Sequence, residues 1–192
     1  MPNSRGPTGP TTKDQGLTTE MVVELIKSHT QFKTGIGYDV HQFVEGRPLI
    51  LGGIEVPHSH GLLGHSDADV ITHAAMDAVL GAAGCADIGT YFPDDDPAYK
   101  GADSIELARR VSDVIGNEGF VLEGLDIMVV AEAPKMKPHV PAMKERLSQA
   151  FGLRLDQLGL KATTNEKMGW VGRKEGIACL ASALVRKRGP LH

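Results

Sequence analysis

The stretch GIGYDVHQF, residues 35–43, sets the carboxylate of Asp39 two positions from the imidazole of His41. Alternate side chains of a β-strand share a face, so a strand here aims both groups the same way, beside Gly37, which adds no bulk. Their oxygen and nitrogen can then meet at one divalent ion through bonds of ~2.0–2.2 Å. Ile36, Tyr38 and Val40 take the opposite face and are expected to bury in the core. A third ligand is at hand in His73, mid-helix by its periodicity, with Asp69 and Asp77 one turn to either side of it. Asp-His-His makes three protein ligands with one position open, the arrangement of a catalytic rather than a structural zinc site. Asp69 or Asp77 is expected to orient the His73 ring from outside the ligand set. Taken singly, each residue has a plainer reading: a solvated strand edge for Asp39 and His41, a satisfied core residue for His73.

Two further stretches carry phosphate-friendly groups. In GLLGHSDADV, His65 and Ser66 are expected at the start of the same helix, where free N–H groups and the helix dipole favour an anion; a simple capping turn would use the same residues. In KATTNEKMGWVGRKEG, Thr163 and Thr164 offer hydroxyl donors, Glu166 a carboxylate for a hard cation such as Mg²⁺, and Arg173 a planar fork for phosphate oxygens. A polar loop between two strands would look similar. Lys135 and Lys137 follow a strand end in EAPKMKPH and add positive charge. The common theme is phosphate chemistry on a diphosphate.

The elements that must hold these groups follow from periodicity. Residues 35–42 read as a strand, and PLILGGIEVP as a strand or hairpin broken at Gly52-Gly53. Residues 66–81 read as a helix capped by Ser66 with Asp69 three residues on. Residues 86–101 read as a loop. Asp103 opens a helix with Ile105, Ala108, Val111 and Ile115 inward. GLDIMVVAEAP is a strand that Pro134 ends, and HVPAMKERLSQAFG a helix with Val140, Met143, Leu147 and Ala150 inward and Gly152 as its stop. LGLKATTNEK and EGIACLASALVRK are two closing strands. Such alternation predicts a mixed sheet with helices over one face.

At 192 residues the chain fits a single domain. A net charge of −4 and an aromatic content of 5% argue against a nucleic-acid or anionic-membrane partner and against base-stacking platforms. No apolar run reaches the ~18 residues of a membrane span. Cys85 and Cys179 belong to no CxxC pair and read as buried small hydrophobes, in keeping with a reducing, cytoplasmic setting. Residues 1–33 are expected to be a flexible extension able to form a short helix through Met21, Val22, Leu25 and Ile26, and residues 34–188 the folded domain.

GIGYDVHQF, GLLGHSDADVITHAAMDAVLGAAG, DIGTYFPDDDPAYKGADS, AEAPKMKPH and KATTNEKMGWVGRKEGIAC resemble, in order and spacing, the 2-C-methyl-D-erythritol 2,4-cyclodiphosphate synthase family over residues 34–187. The resemblance implies a non-mevalonate isoprenoid enzyme, a phosphorus-oxygen lyase. It would convert 4-diphosphocytidyl-2-C-methyl-D-erythritol 2-phosphate to the cyclic diphosphate and release CMP. It implies an α+β fold, one compact catalytic domain over residues 34–188 with a mixed β-sheet covered by helices on one face. It also implies a homotrimer whose active sites lie between subunits.

Carried onto this chain, the resemblance assigns Zn²⁺ to Asp39, His41 and His73, and a second cation, Mg²⁺ or Mn²⁺, to Glu166. His65 and Thr164 match the positions that stabilise the transition state, with Ser66 beside the substrate. Asp39, Val40 and His41 also match substrate positions. Asp87, Ile88 and Gly89 would hold the methylerythritol phosphate end, together with Phe92, Pro93, Asp94, Asp95 and Asp96. Ala131, Glu132, Ala133, Pro134, Lys135, Met136 and Lys137 would enclose the cytidine from one side, and Ala162, Thr163 and Thr164 from the other. Asn165 accompanies Glu166, Arg173 lies near the phosphates, and Trp170 matches a position lining the trimer's central cavity. Trp170 stands where the family commonly has Phe, and Lys137 where an apolar residue is frequent. Two rivals remain at this point: a zinc-dependent phosphohydrolase that admits water, and a non-catalytic nucleotide-binding trimer.

Overall fold

The Asp39–His41 pair lies on a strand of 13 residues. The computed structural model describes residues 18–29, 31–93, 95–99 and 101–188. The flexibility expected of residues 1–17 and the substrate role expected of Asp94 lie outside that range. Helix α1 (Thr19–His29) forms where the short N-terminal helix is expected, and β1 (Phe32–Val44) follows. Strands β2 (Leu49–Leu51) and β3 (Ile54–Val56) make a separate hairpin. It turns at Gly52 and Gly53, whose φ of 57° and 73° suit glycine. Strand β4 (Gly61–Leu62) leads to α2 (Val70–Ala83) and the single turn α3 (Ile88–Tyr91). Then come α4 (Ser104–Asn117), β5 (Phe120–Val130) and α5 (Val140–Phe151). Strand β6 (Leu158–Thr163), the turn α6 (Gly169–Gly172) and β7 (Gly176–Lys187) close the fold.

One five-stranded sheet, in the order β4-β1-β7-β5-β6, is mixed: β5 and β6 run parallel and the remaining neighbours antiparallel. The fold is α+β, as expected. Asp103 caps α4, whose buried stripe includes Ile105, Ala108, Val111 and Ile115, and Gly152 ends α5 in the left-handed conformation. Both helices follow their periodicity. Among the described residues no helix is long and apolar enough to cross a membrane.

Helix α2 is the centre of the core and is buried along most of its circumference, with His73 and Asp77 half-buried on one stripe. Its backbone lies directly on β1. A Cβ on Gly37 would sit 2.1 Å from the Ala74 carbonyl oxygen, and one on Gly35 2.3 Å from that of Ala78. The clearance at Gly37 therefore serves the helix. This reverses the expected faces of the strand. The odd-numbered residues, Gly35 to His41, face the helices, while Ile36 is 85% exposed, Tyr38 56% and Val40 42%. Strand alternation separates two faces but does not say which one the helices cover. The glycines decide it, because only they let α2 approach so closely. The register puts Tyr38 beside Leu180 and Leu180 beside Met128, so the bare face of the sheet carries an apolar row.

Candidate metal centre

Asp39 and His41 reach toward the first turns of α2, where His73 meets them. Asp39 Oδ2 lies 3.0 Å from His41 Nε2 and 3.1 Å from His73 Nδ1, and the two nitrogens are 3.2 Å apart. A tetrahedral ion with bonds of ~2.0–2.1 Å spaces its ligand atoms ~3.3 Å apart, so these three atoms are set for one ion. The outer hydrogen bonds fix both rings. His41 Nδ1 is 2.6 Å from the Leu63 carbonyl, which can only accept, so Nδ1 holds the proton and Nε2 presents its lone pair. Ser104 donates its hydroxyl to Asp67 Oδ1 at 2.5 Å, and can only accept from His73 Nε2 at 2.9 Å. His73 therefore presents the lone pair of Nδ1. Two lone pairs and a carboxylate oxygen converge with no donor among them, which is the chemistry of a cation site. Asp39, His41 and His73 form the group of His, Cys, Asp and Glu found among the described residues that could hold a metal ion.

In the metal-free chain a proton takes that place. Burial works against charge on both partners. The mutual hydrogen bonds and charges win, holding the Asp39 carboxyl well below the usual carboxylate range and raising the His41 imidazole above its ordinary value.

The residues expected to orient His73 do other work. Asp69 is fully buried and caps α2, accepting from the N–H groups of Ile71, Thr72, Gly52 and Gly53 and from the Thr72 hydroxyl. Burial, followed by the nearby Asp67 charge, pushes its carboxyl up. Asp77 accepts from the Ile88 N–H at 2.9 Å and so pins the start of α3. Orientation of His73 falls instead to Ser104 and Asp67, 37 residues apart, a link no local pattern reveals.

The helix starts at Val70, four residues later than expected, because Asp69 and not Ser66 is its cap. The first N–H groups of α2 are thus taken, and His65 and Ser66 stand ahead of the helix rather than at its start. Both residues instead line a cavity of about 220 Å³ over the metal cluster. Arg47, unnoticed in the sequence, shapes that wall by donating to the carbonyls of Gly64 and Ser66, each at 2.6 Å. Ile88, Gly89 and Phe92 line the opposite side, with Met76, Tyr99 and Leu107. Asp87 caps α3 through the Thr90 N–H and hydroxyl. Residues 86–101, expected as loop alone, thus hold α3 and a 3-10 turn at Pro97–Tyr99, whose Ala98 N–H bonds Asp96.

The second group of residues gathers elsewhere. A cavity of about 550 Å³ is walled by Ala131, Glu132, Pro134, Lys135, Met136 and Lys137 on one side and Ala162, Thr163 and Thr164 on the other. Just beyond, the Thr164 hydroxyl donates to Glu166 Oε1 at 2.7 Å. Arg173 is paired with Glu175 at 2.6 Å, and Trp170 borders a small hollow with Val40 and His41. The register sets Val40 beside Ala178, Ala178 beside Val130 and Val130 beside Thr163. Three strand spacings of ~4.8 Å therefore separate Val40 from Thr163 on the β6 wall of the larger cavity, roughly 14 Å within one chain, while Trp170 stays close to His41.

A model of the YgbB family matches residues 32–186. The 2-C-methyl-D-erythritol 2,4-cyclodiphosphate synthase of Synechococcus elongatus is 57% identical over 156 residues, 81% of this chain and 98% of that protein. The enzyme of that name from Symbiobacterium thermophilum is 57% identical over 154 residues, covering 80% and 98%. Among solved structures, the Plasmodium falciparum IspF–CDP complex superposes with a TM-score of 0.72 at 31% identity, covering 83% of this chain and 99% of that one. With its matching α+β fold and its Asp-His-His cluster, the chain belongs to the YgbB family.

Proposed function

We infer that this chain is a 2-C-methyl-D-erythritol 2,4-cyclodiphosphate synthase, converting 4-diphosphocytidyl-2-C-methyl-D-erythritol 2-phosphate to the cyclic diphosphate and CMP. The observation that carries this reading is the convergence of Asp39, His41 and His73 on one point at a cavity that His65 and Ser66 also line, in a chain 57% identical to enzymes of that name. The substrate's own 2-phosphate oxygen attacks the β-phosphorus. The bond from that phosphorus to the oxygen bridging it to the α-phosphate breaks, and CMP leaves with that oxygen. No serine or cysteine nucleophile is required.

Asp39, His41 and His73 would hold Zn²⁺, and Glu166 a second cation such as Mg²⁺ or Mn²⁺, a hard ion that commonly takes one or two carboxylates plus substrate phosphates. Bound there, the two ions supply Lewis-acid polarisation and neutralise the diphosphate charge. The chain's own residues position the reactants. His65 and Ser66, held by Arg47, face the reacting phosphates, and the Thr164 hydroxyl faces them from the cytidine side. Ile88 and Gly89, on the turn that Asp77 and Asp87 pin, take the methylerythritol phosphate end together with the segment from Phe92 to Asp96. The 550 Å³ cavity takes the cytidine. Bringing the ends into line is an entropy trap that can supply ~7–11 kcal/mol, and phosphoryl transfer asks for little else from the protein.

The working unit is a homotrimer with active sites between subunits. Two observations support it: the exposed apolar row of β1 and β7, and the separation of metal cluster from cytidine cavity within one chain. A neighbour's cavity facing the cluster would close the gap. Phosphorus NMR of metal-replete protein with the diphosphocytidyl substrate should show the cyclic diphosphate and CMP in equal amounts. CMP together with the linear methylerythritol 2,4-bisphosphate, and no cyclic product, would make the chain a metal-dependent hydrolase.

A further inference from the structure

Glu132 follows the end of β5, one residue past Ala131, whose N–H donates to the Thr163 carbonyl at 3.0 Å. Its side chain reaches across to the next segment. Oε1 accepts from the backbone N–H of Asn165 and of Lys167, each at 3.0 Å. Between those two lies Glu166. Glu166 and Lys167 both sit in the left-handed region, with φ of 50° and 61°. Consecutive non-glycine residues in that region persist only when their surroundings over-determine them. Here the turn is gripped on several sides. The Met168 N–H donates to the Asn165 carbonyl at 2.9 Å, and Asn165 Nδ2 donates back to the Met168 carbonyl at 2.8 Å. Gly172 packs so close that a Cβ there would lie 2.0 Å from the Lys167 carbonyl carbon. Glu132 is the charged member of this grip, and it holds the N–H on each side of the residue that must be presented.

We propose that Glu132 is a positioning residue whose carboxylate locks the Asn165–Lys167 turn in its left-handed form and thereby sets the affinity of Glu166 for its divalent cation. The cation half of this statement rests on the reading of Glu166 given above; the locking of the turn does not. Without Oε1 the two N–H groups lose their shared acceptor, and the turn can relax to ordinary backbone angles that carry the Glu166 carboxylate elsewhere. A glutamine keeps a carbonyl oxygen at the same place and can serve both donors.

The test compares wild type, E132A and E132Q by hydrogen exchange at the amides of Asn165 and Lys167, and by Mn²⁺ titration with CDP present, read by electron paramagnetic resonance. E132A should exchange faster at both amides and need ~10–100 times more Mn²⁺ for half-saturation, the usual cost of losing an outer partner of a metal ligand. Its zinc content should be unchanged, and E132Q should restore both readouts. Unchanged exchange and Mn²⁺ affinity in E132A would overturn the proposal, as would an E132Q protein as impaired as E132A. Should E132A fail to fold, E132D, one methylene short of the turn, replaces it with the same outcomes. If wild type binds no Mn²⁺ with CDP, the cation reading of Glu166 fails, and exchange at the two amides alone decides whether Glu132 holds the turn.

Discussion

His41 Nε2 stands 3.2 Å from His73 Nδ1, and in the neutral rings both nitrogens present lone pairs. The Leu63 carbonyl fixes the first ring and the Asp67–Ser104 pair the second, so their lone pairs face each other beside Asp39. That confrontation is unfavourable until a cation enters. The fold thus stores a cation preference in residues that never touch the ion.

Ser104→Ala should weaken zinc binding by ~10–100-fold with little loss of fold. Without that hydroxyl, Ser66 remains beside His73 Nε2 at 3.1 Å and can donate to it, favouring the tautomer that places a proton on Nδ1. Competition with a fluorescent chelator measures the change. Zinc affinity equal to wild type would remove Ser104 from the account.

The pH dependence of chelator-treated protein follows from the same cluster. His41 is raised above its ordinary 6.5, so its contribution is fully present below pH 6.5 and is lost as pH rises through the raised value. Asp39 is lowered below its ordinary 3.8, so its contribution is present above that pH and is lost only in stronger acid. The Tm of the metal-free protein should therefore decline as pH rises above 6.5. Zinc competes with the proton, so the gain in Tm on adding zinc should grow over the same range. A metal-free Tm that rises with pH would contradict the pairing.

Gly37→Ala tests the contact that aims the ligands. The added Cβ would meet the Ala74 carbonyl oxygen at 2.1 Å, backbone against backbone, so strand and helix must separate. The expected cost is ~3 kcal/mol or more, or ~6–12 °C in Tm at the ~2–4 °C per kcal/mol usual for this size. Zinc content of the surviving folded protein should fall, because Asp39 and His73 stand on the two separated elements.

Tyr38→Glu or Leu180→Glu should leave the single chain folded, since these side chains are 56% and 47% exposed in it. Buried between subunits, each carboxylate would cost several kcal/mol. Sedimentation should show a trimer for wild type and monomers for the variants at the same concentration, with zinc still bound and cyclase activity lost. A fully active monomer would refute the shared active site.

Much of the site could be read from residue order. Asp39 and His41 fall on one face of any strand, and His73 on a helix of matching polarity, because side-chain direction follows from local periodicity alone. The mixed sheet, the caps at Asp103 and Gly152 and the hairpin turn at Gly52-Gly53 are local matters too, and they stand where residue type puts them.

What residue order left open is which surface meets which. The face of β1 bearing Ile36, Tyr38 and Val40 looks like core until α2 is laid on Gly35 and Gly37. Asp69 looks like a partner for His73 until the β2–β3 turn brings the N–H groups of Gly52 and Gly53 to it. The Asp67–Ser104–His73 chain and the Glu132 clamp on Asn165 and Lys167 join residues more than 30 positions apart in at least one link. Local periodicity fixes the direction of a side chain. Its partner is fixed by packing between distant elements, and here those partners set the ring tautomers and hold the Glu166 turn.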